Sequence, residues 1–215
     1  MIGIENYGLF VVSGIMLNLT PGADTMYILG RSVSQGRKAG VLSVLGISTG
    51  ALVHTLLASL GLSAVLAQSV MAFNTIKYIG AAYLIYLGIK SLLSASDHLS
   101  VNKGKEDRLS KVYFQGILTN ILNPKVALFF LAFLPQFVNP VNSNGPLPFF
   151  LLGLTFICTG TVWCLCIAVF SSLATEKLRE SPSLSRAMHR LSGLLFIGLG
   201  LSLLKARATG QAQSF

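Results

Sequence analysis

Charge is what this chain lacks. Asp, Glu, Lys and Arg make up 11% of its 215 residues against 53% hydrophobic ones, and the mean hydropathy is +0.69. Residues 39–76 and 126–175, stretches of 38 and 50 residues, contain no charged side chain at all. Each exceeds the ~20 apolar residues that one helix needs to cross a hydrocarbon core. That excludes an ordinary soluble domain and predicts a membrane protein.

Other absences narrow the class. Segments such as "LLASLGLSAVLA" lack the polar alternation of barrel strands, so the spans are expected to be helical. The N-terminus lacks the basic region of a secretory signal, since Glu5 is the only charge before Asp24, and it reads as a retained first span. The three cysteines, Cys158, Cys164 and Cys166, lie in one apolar segment, which excludes a disulfide framework and suggests small packing residues. No His-Glu-x-x-His motif is present, and the one intramembrane histidine, His54, has no evident partner. The sequence is therefore read as a non-enzyme without metal or other cofactor.

Hydropathy places six spans, at about 7–30, 40–66, 72–93, 112–137, 147–174 and 189–206. A net charge of +9 in a soluble protein would suggest nucleic acid, but here the basic residues are confined to alternate loops. Residues 31–38, 94–111 and 175–190 hold 11 of the 16 Lys and Arg, while the intervening loops 67–71 and 139–146 hold none. The positive-inside rule makes the three basic loops cytoplasmic and predicts that both termini are periplasmic. The partners are then the lipid bilayer and a small-molecule cargo, with no nucleic acid.

The chain also repeats itself. "GIMLNLTPGAD" from Gly14 matches "GILTNILNPKV" from Gly116: Gly14, Ile15 and Asn18 align with Gly116, Ile117 and Asn120, and one inserted residue brings Thr20-Pro21 onto Asn123-Pro124. "LGIKSLL" at 87–93 likewise resembles "LGLSLL" at 199–204. Three spans per half is an odd number, so the second copy enters the membrane from the opposite side. The expected fold is all-α: one transmembrane domain over 1–215, with six helices as two inverted three-helix repeats, 1–93 and 112–215. Residues 94–111 form a cytoplasmic linker.

Each repeat opens with a helix broken by proline. Thr20 and Asn123 precede Pro21 and Pro124, which moves them out of α geometry, and their side chains are expected to cap the helix that follows. Proline suits the first position of that second half-helix. Pro21 lies 14 residues beyond Tyr7, roughly 21 Å of helix, so the breaks fall near mid-membrane. Paired breaks in matching positions of two halves point to a transporter's binding site.

Asp24 and Lys125 stand at those breaks, and ionisable groups at such depth are costly, about 2.5–3.5 kcal/mol each at a helix centre. On the functional reading Asp24 attracts an ammonium group, or carries a coupling proton, while Lys125 and the half-helix N-terminus around Gly22 attract a carboxylate. On the structural reading Asp24 and Lys125 form an ion pair that ties the repeats together. Asn18, Asn120 and Asn123 either bond the substrate or satisfy carbonyls freed at the breaks. His54 is either a proton relay or a neutral histidine bonded inside the bundle. Gly46 and Gly50 are spaced for close helix contact.

With these motifs in view, the sequence resembles the lysine exporter family (LysE/RhtB) along essentially its whole length. The resemblance is carried by "TPGAD" (20–24), "GALVHTLLASLGLS" (50–63), "YIGAAYLIYLGIKSL" (78–92) and "ILTNILNPKVALFFLAFLPQF" (117–137), with the "NPK" of Asn123 to Lys125 the most specific. The family usually shows Pro-Gly-Pro at the first break, where this chain has Ala23 in place of the second proline. The resemblance implies export of amino acids or close derivatives across the bacterial inner membrane, driven by the proton motive force, often by a homodimer. One intramembrane carboxylate favours neutral cargo such as homoserine, threonine or leucine over dibasic amino acids.

Two competing functions are weaker. A metal-cation exporter would want several carboxylates where the spans offer Asp24 beside a lysine. A membrane thiol redox carrier would want a cysteine at each break, and neither break has one.

Overall fold

The computed structural model describes residues 3–64, 70–93, 107–139 and 145–171, with isolated positions 190, 193, 194, 197, 198, 200, 201 and 204. The regular elements among them are helices: α1 (Tyr7–Leu19), α2 (Ala23–Leu57), α3 (Val70–Leu93), α4 (Leu109–Ile121), α5 (Pro124–Leu128) and α6 (Leu147–Val169). A π-helical turn, Ala58–Leu62, extends α2, and π and 3-10 turns carry α5 on to Phe137. One isolated β-bridge joins Ile4 to Val138.

By length and apolarity, Ala23–Leu62 and Leu147–Val169 qualify as membrane-crossing helices among the described residues. The pair Leu109–Ile121 and Pro124–Phe137, bent by 46°, makes a third if it is one span. Tyr7–Leu19 is a shorter apolar helix. The predicted linker ends earlier than expected, because α4 begins at Leu109, and residues 94–106 lie outside the described residues, as does most of the sixth span.

Straight, the 40 residues of Ala23–Leu62 would run about 60 Å, twice the thickness of the hydrocarbon core. The chain avoids this at Gly36, whose φ of 80° and ψ of 179° lie in a region essentially open to glycine alone. Beyond it the chain folds back, and a Cβ on Gly40 would collide with the Ser32 side chain. The basic loop expected at 31–38 is thus a turn inside an otherwise continuous helical run.

Two apolar clusters frame the interior. One is largely aromatic: Phe10, Phe129, Phe130, Phe133, Phe137, Phe149 and Phe156 are all buried, with Phe129 stacked on Phe156 at 4.6 Å between ring centroids. The other joins Ile28, Leu29, Val44 and Ile47 to Ile167 and Ala168. Small residues let the backbones close between them. A Cβ on Gly46 would press on the Tyr113 carbonyl and lie 3.1 Å from the Gly116 Cα, as the Gly46/Gly50 spacing predicts. The glycines of the α3 motif and of its echo also sit at close approaches, Gly88 against the Gly193 carbonyl and Gly200 against that of Ala81.

Candidate functional site

The two broken helices run antiparallel, the start of each bonded to the end of the other. Glu5 N–H donates to the Phe137 carbonyl at 2.8 Å at one end, and Arg31 donates to Asp107 at 2.8 Å at the other. This brings both breaks to the same level midway along the pair.

The first break leaves a specific vacancy in the hydrogen bonding. The Leu17 carbonyl would accept from residue 21, but Pro21 has no N–H. Lys125 fills that place from the other half: its Nζ donates to the carbonyls of Leu17 at 3.2 Å and Thr20 at 2.9 Å. The second break repeats the problem, since the Asn120 carbonyl faces Pro124. There His54 Nε2 lies 3.2 Å from the Asn120 oxygen, with its ring stacked on Phe130 at 5.7 Å. Since a carbonyl can only accept, Nε2 carries the proton in this contact.

The expected caps divide. Asn123 does cap α5, its side chain accepting from Lys125 N–H at 3.0 Å, with Pro124 in the first helical position. Thr20 does not cap α2. Its ψ of 121° before Pro21 turns the hydroxyl back onto the Met16 carbonyl at 3.0 Å, Gly22 takes the cap position without a side-chain bond, and Pro21 lies outside the helix.

Asp24 and Lys125 form no salt bridge. Among the described residues the ion pairs within 4.0 Å are Arg31–Asp107 and Lys111–Asp107. The structural ion pair considered above is therefore absent, because the Lys125 ammonium is committed to the carbonyls of the first break. Asp24 instead accepts from Asn120 Nδ2 at 2.9 Å through Oδ2, while its Oδ1 is buried with no hydrogen-bond partner.

A small cavity of about 40 Å³ opens at this point. Asn18, Asp24, Asn120 and Lys125 line it, whereas Thr20, Gly22, Asn123 and His54 stand behind it and shape the breaks. Its remaining wall was not singled out from sequence: Thr25, Ser48, Thr161, Gly160 and Cys164 add small polar groups, and Ile47, Ala51, Val126, Phe156 and Ile157 add apolar surface. Ser48 and Thr161 hydroxyls bond across it at 2.8 Å. The cysteines also separate, with Cys164 at the cavity and Cys158 and Cys166 exposed on the outside of α6, not packed as expected.

One signal for this wall was present in the sequence. "ISTG" (47–50) resembles "ICTG" (157–160), and in the fold Gly50 packs on Asn120 as Gly160 packs on Asn18. Chemically, the cavity combines a carboxylate with a free oxygen, an ammonium with one unused N–H, hydroxyls and an apolar side. No group of three or more His, Cys, Asp or Glu side chains gathers among the described residues.

The family model of LysE type translocators matches residues 15–207. The chain belongs to this family. It is 35% identical over 201 residues to the uncharacterized membrane protein YrhP of Bacillus subtilis, covering 89% of this chain and 95% of that protein. An uncharacterized membrane protein of Vibrio cholerae is 30% identical over 201 residues, covering 93% and 96% of the two chains. The leucine efflux protein of Salmonella typhimurium is 28% identical over 206 residues, covering 94% and 95%. No solved structure matches the chain. As a LysE-type translocator it is a multi-pass membrane protein of a transporter family, and the matched stretch contains both breaks and the cavity-lining Asp24 and Lys125.

Proposed function

We propose that this chain exports neutral amino acids or close derivatives across the bacterial inner membrane, coupled to protons, with the cavity at the two breaks as the cargo site. The observation that carries this reading is the unpartnered, buried Asp24 Oδ1 facing a cavity that Lys125 also lines. The substrate's ammonium group takes the free Asp24 oxygen, its carboxylate takes the remaining Lys125 N–H, and the apolar wall of Ile47, Ala51, Phe156 and Ile157 receives an uncharged side chain. A dibasic side chain would find no second carboxylate there. The leucine efflux relatives agree in cargo class. Proton coupling is assigned to Asp24, which changes charge when protonated and touches the cargo. The alternating basic loops orient both termini to the periplasm.

The test is efflux of a panel of labelled amino acids from preloaded vesicles, wild type against Lys125→Ala, with and without a proton ionophore. Efflux of neutral amino acids that is lost in the variant and collapsed by the ionophore is expected. Efflux of lysine or arginine instead, or of no amino acid from folded protein, would overturn the proposal.

A further inference from the structure

Outside the cavity, a dense polar cluster among the described residues joins the end of the first broken helix to the start of the second. Arg31 Nη2 donates to Asp107 at 2.8 Å and Gln115 at 2.6 Å, and its Nη1 donates to Gln35 at 2.9 Å. Gln35 Nε2 donates to the Asp107 carbonyl at 2.9 Å, and Lys111 Nζ donates to the Asp107 carboxylate at 2.6 Å. The Arg31 guanidinium also lies over the Tyr27 ring, 5.6 Å from its centroid, while the Tyr27 hydroxyl donates to the Val112 carbonyl at 2.7 Å.

The opposite end of the same helix pair is closed in the corresponding place by different chemistry. There residues before α1 meet residues after α5. Glu5 N–H donates to Phe137 O and Asn139 N–H to Gly3 O, both at 2.8 Å, around the Ile4–Val138 bridge. Asn139 Nδ2 adds a bond to Glu5 at 2.6 Å. In both places the lead-in to one broken helix grips the tail of the other, and the cavity lies between them.

We propose that these two clasps are the gates of the cavity, and that the side-chain clasp of Arg31, Gln35, Asp107 and Gln115 is the gate on the face of the basic loops. The proposal rests on reading the cavity as a transport site. Its lever is the half-helix from Ala23 to Gln35, bounded by the uncapped Gly22 and by Gly36, two non-helical points that can absorb a rotation. Asp24 and Arg31 are seven residues apart, hence on one face of that lever, so the group that meets cargo and the group that holds the gate move together. A clasp of side chains releases without breaking main-chain pairing, whereas its counterpart must separate a backbone bridge. The two gates are therefore unequal, and the basic-loop side opens more readily.

The Lys111 ammonium, then the Arg31 guanidinium, hold the Asp107 carboxyl below its usual range. A depressed carboxylate keeps its interaction above its unfolded pKa and loses it only as pH falls through the folded value. The clasp is thus intact from about pH 4 upward, and proton coupling in the neutral range does not act through it.

Cys164 supplies a readout that needs no cargo, because it lines the cavity while Cys158 and Cys166 face outward. In a Cys158→Ser, Cys166→Ser background, Cys164 is labelled with a charged, membrane-impermeant methanethiosulfonate applied to either face of oriented vesicles. Arg31→Gln is expected to raise the labelling rate roughly tenfold from the basic-loop face, the scale on which losing charge-assisted bonds shifts a two-state equilibrium, and to leave the other face unchanged. Arg31→Asp combined with Asp107→Arg is expected to restore the slow rate. Asp107→Asn serves the same comparison should Arg31→Gln fail to accumulate. An unchanged rate from both faces, or an equal rise from both, would overturn the gate. Altered labelling in a protein that exports no amino acid would leave the gate standing and remove the cargo, while efflux with unchanged labelling would remove the gate alone.

Discussion

At the first break the carbonyl stranded by a proline, that of Leu17, is met by the ammonium of Lys125; at the second the corresponding carbonyl, that of Asn120, is met by the imidazole of His54. Each carbonyl keeps one tight-turn bond, from Thr20 N–H at 3.1 Å and from Asn123 N–H at 3.0 Å, and the side chain replaces the helical donor that the proline removed. Both donors come from outside the broken helix they serve, so each break is completed by a different part of the fold. The difference lies in charge. The first break gathers Lys125 and, one turn on, Asp24, whereas the second is closed by Asn123 and His54 and has no carboxylate of its own. Matching backbone defects have thus diverged into one charged half-site and one uncharged one, where Asn120 Oδ1 and Asn123 Nδ2 are buried without a hydrogen-bond partner.

The sharpest way to break this comparison is to neutralise the charged side. Asp24→Asn keeps an acceptor oxygen and a similar volume, so the bond from Asn120 survives after an amide rotation. Efflux is nonetheless expected to fall at least a hundredfold, because the cargo's ammonium group loses its counter-charge, while the yield of folded protein in detergent stays at the wild-type level. Full transport by this variant would move Asp24 to a purely structural role and erase the functional difference between the breaks.

A smaller effect separates the two asparagine contacts. A Cβ on Gly50 would stand 2.8 Å from Asn120 Cβ and 2.9 Å from the Ile117 carbonyl, a collision with backbone that forces the helices apart. On Gly160 the nearest atoms are the tip of Asn18, at 3.1–3.3 Å, which can swing away. Gly50→Ala is expected to destabilise the protein by about 1–3 kcal/mol, in the range of overpacked interiors, and to disturb Asp24 through Asn120. Gly160→Ala should cost well under half of that. Thermal unfolding of both variants in one detergent measures the ratio, and equal losses would show that the two contacts bear the same load.

How much of this was legible in sequence depends on the range of the interaction. The prolines, the apolar runs and the match of Gly14 to Gly116 are local patterns, and they sufficed to place both breaks and to identify Asp24, Lys125, Asn18 and Asn120, which do line one cavity. The turn at Gly36 was legible only as a basic loop, because a positive φ leaves no mark beyond the glycine itself. The partners of the stranded carbonyls were not legible. Lys125 lies 108 residues from Leu17 and His54 lies 66 from Asn120, and only the fold brings donors to them. Thr20 was misread for a related reason: its hydroxyl had two directions available, and the extended turn before Pro21 selected the one facing backward. The cavity wall on α6 escaped notice because Ser, Thr, Gly and Cys in an apolar helix look alike whether they pack or line a site.

His54 gives the finest test, since its two readings differ in what they demand of the side chain. A proton relay needs a group that takes up and releases a proton, which glutamine cannot do. A donor to a stranded carbonyl needs only an N–H within reach, and glutamine supplies one. His54→Gln is therefore expected to keep most of the efflux and its dependence on the proton gradient, with stability lowered by less than about 1 kcal/mol. His54→Leu removes the donor and leaves the Asn120 oxygen with the Asn123 N–H alone, bonded at 3.0 Å. That variant should lose about 0.5–1.5 kcal/mol, the net worth of one hydrogen bond to a carbonyl that keeps another donor, and should still show an ionophore-sensitive signal in whatever fraction folds. Retained stability with lost coupling in the glutamine variant would reverse the assignment, placing a titrating group at the second break and making the two halves functionally alike.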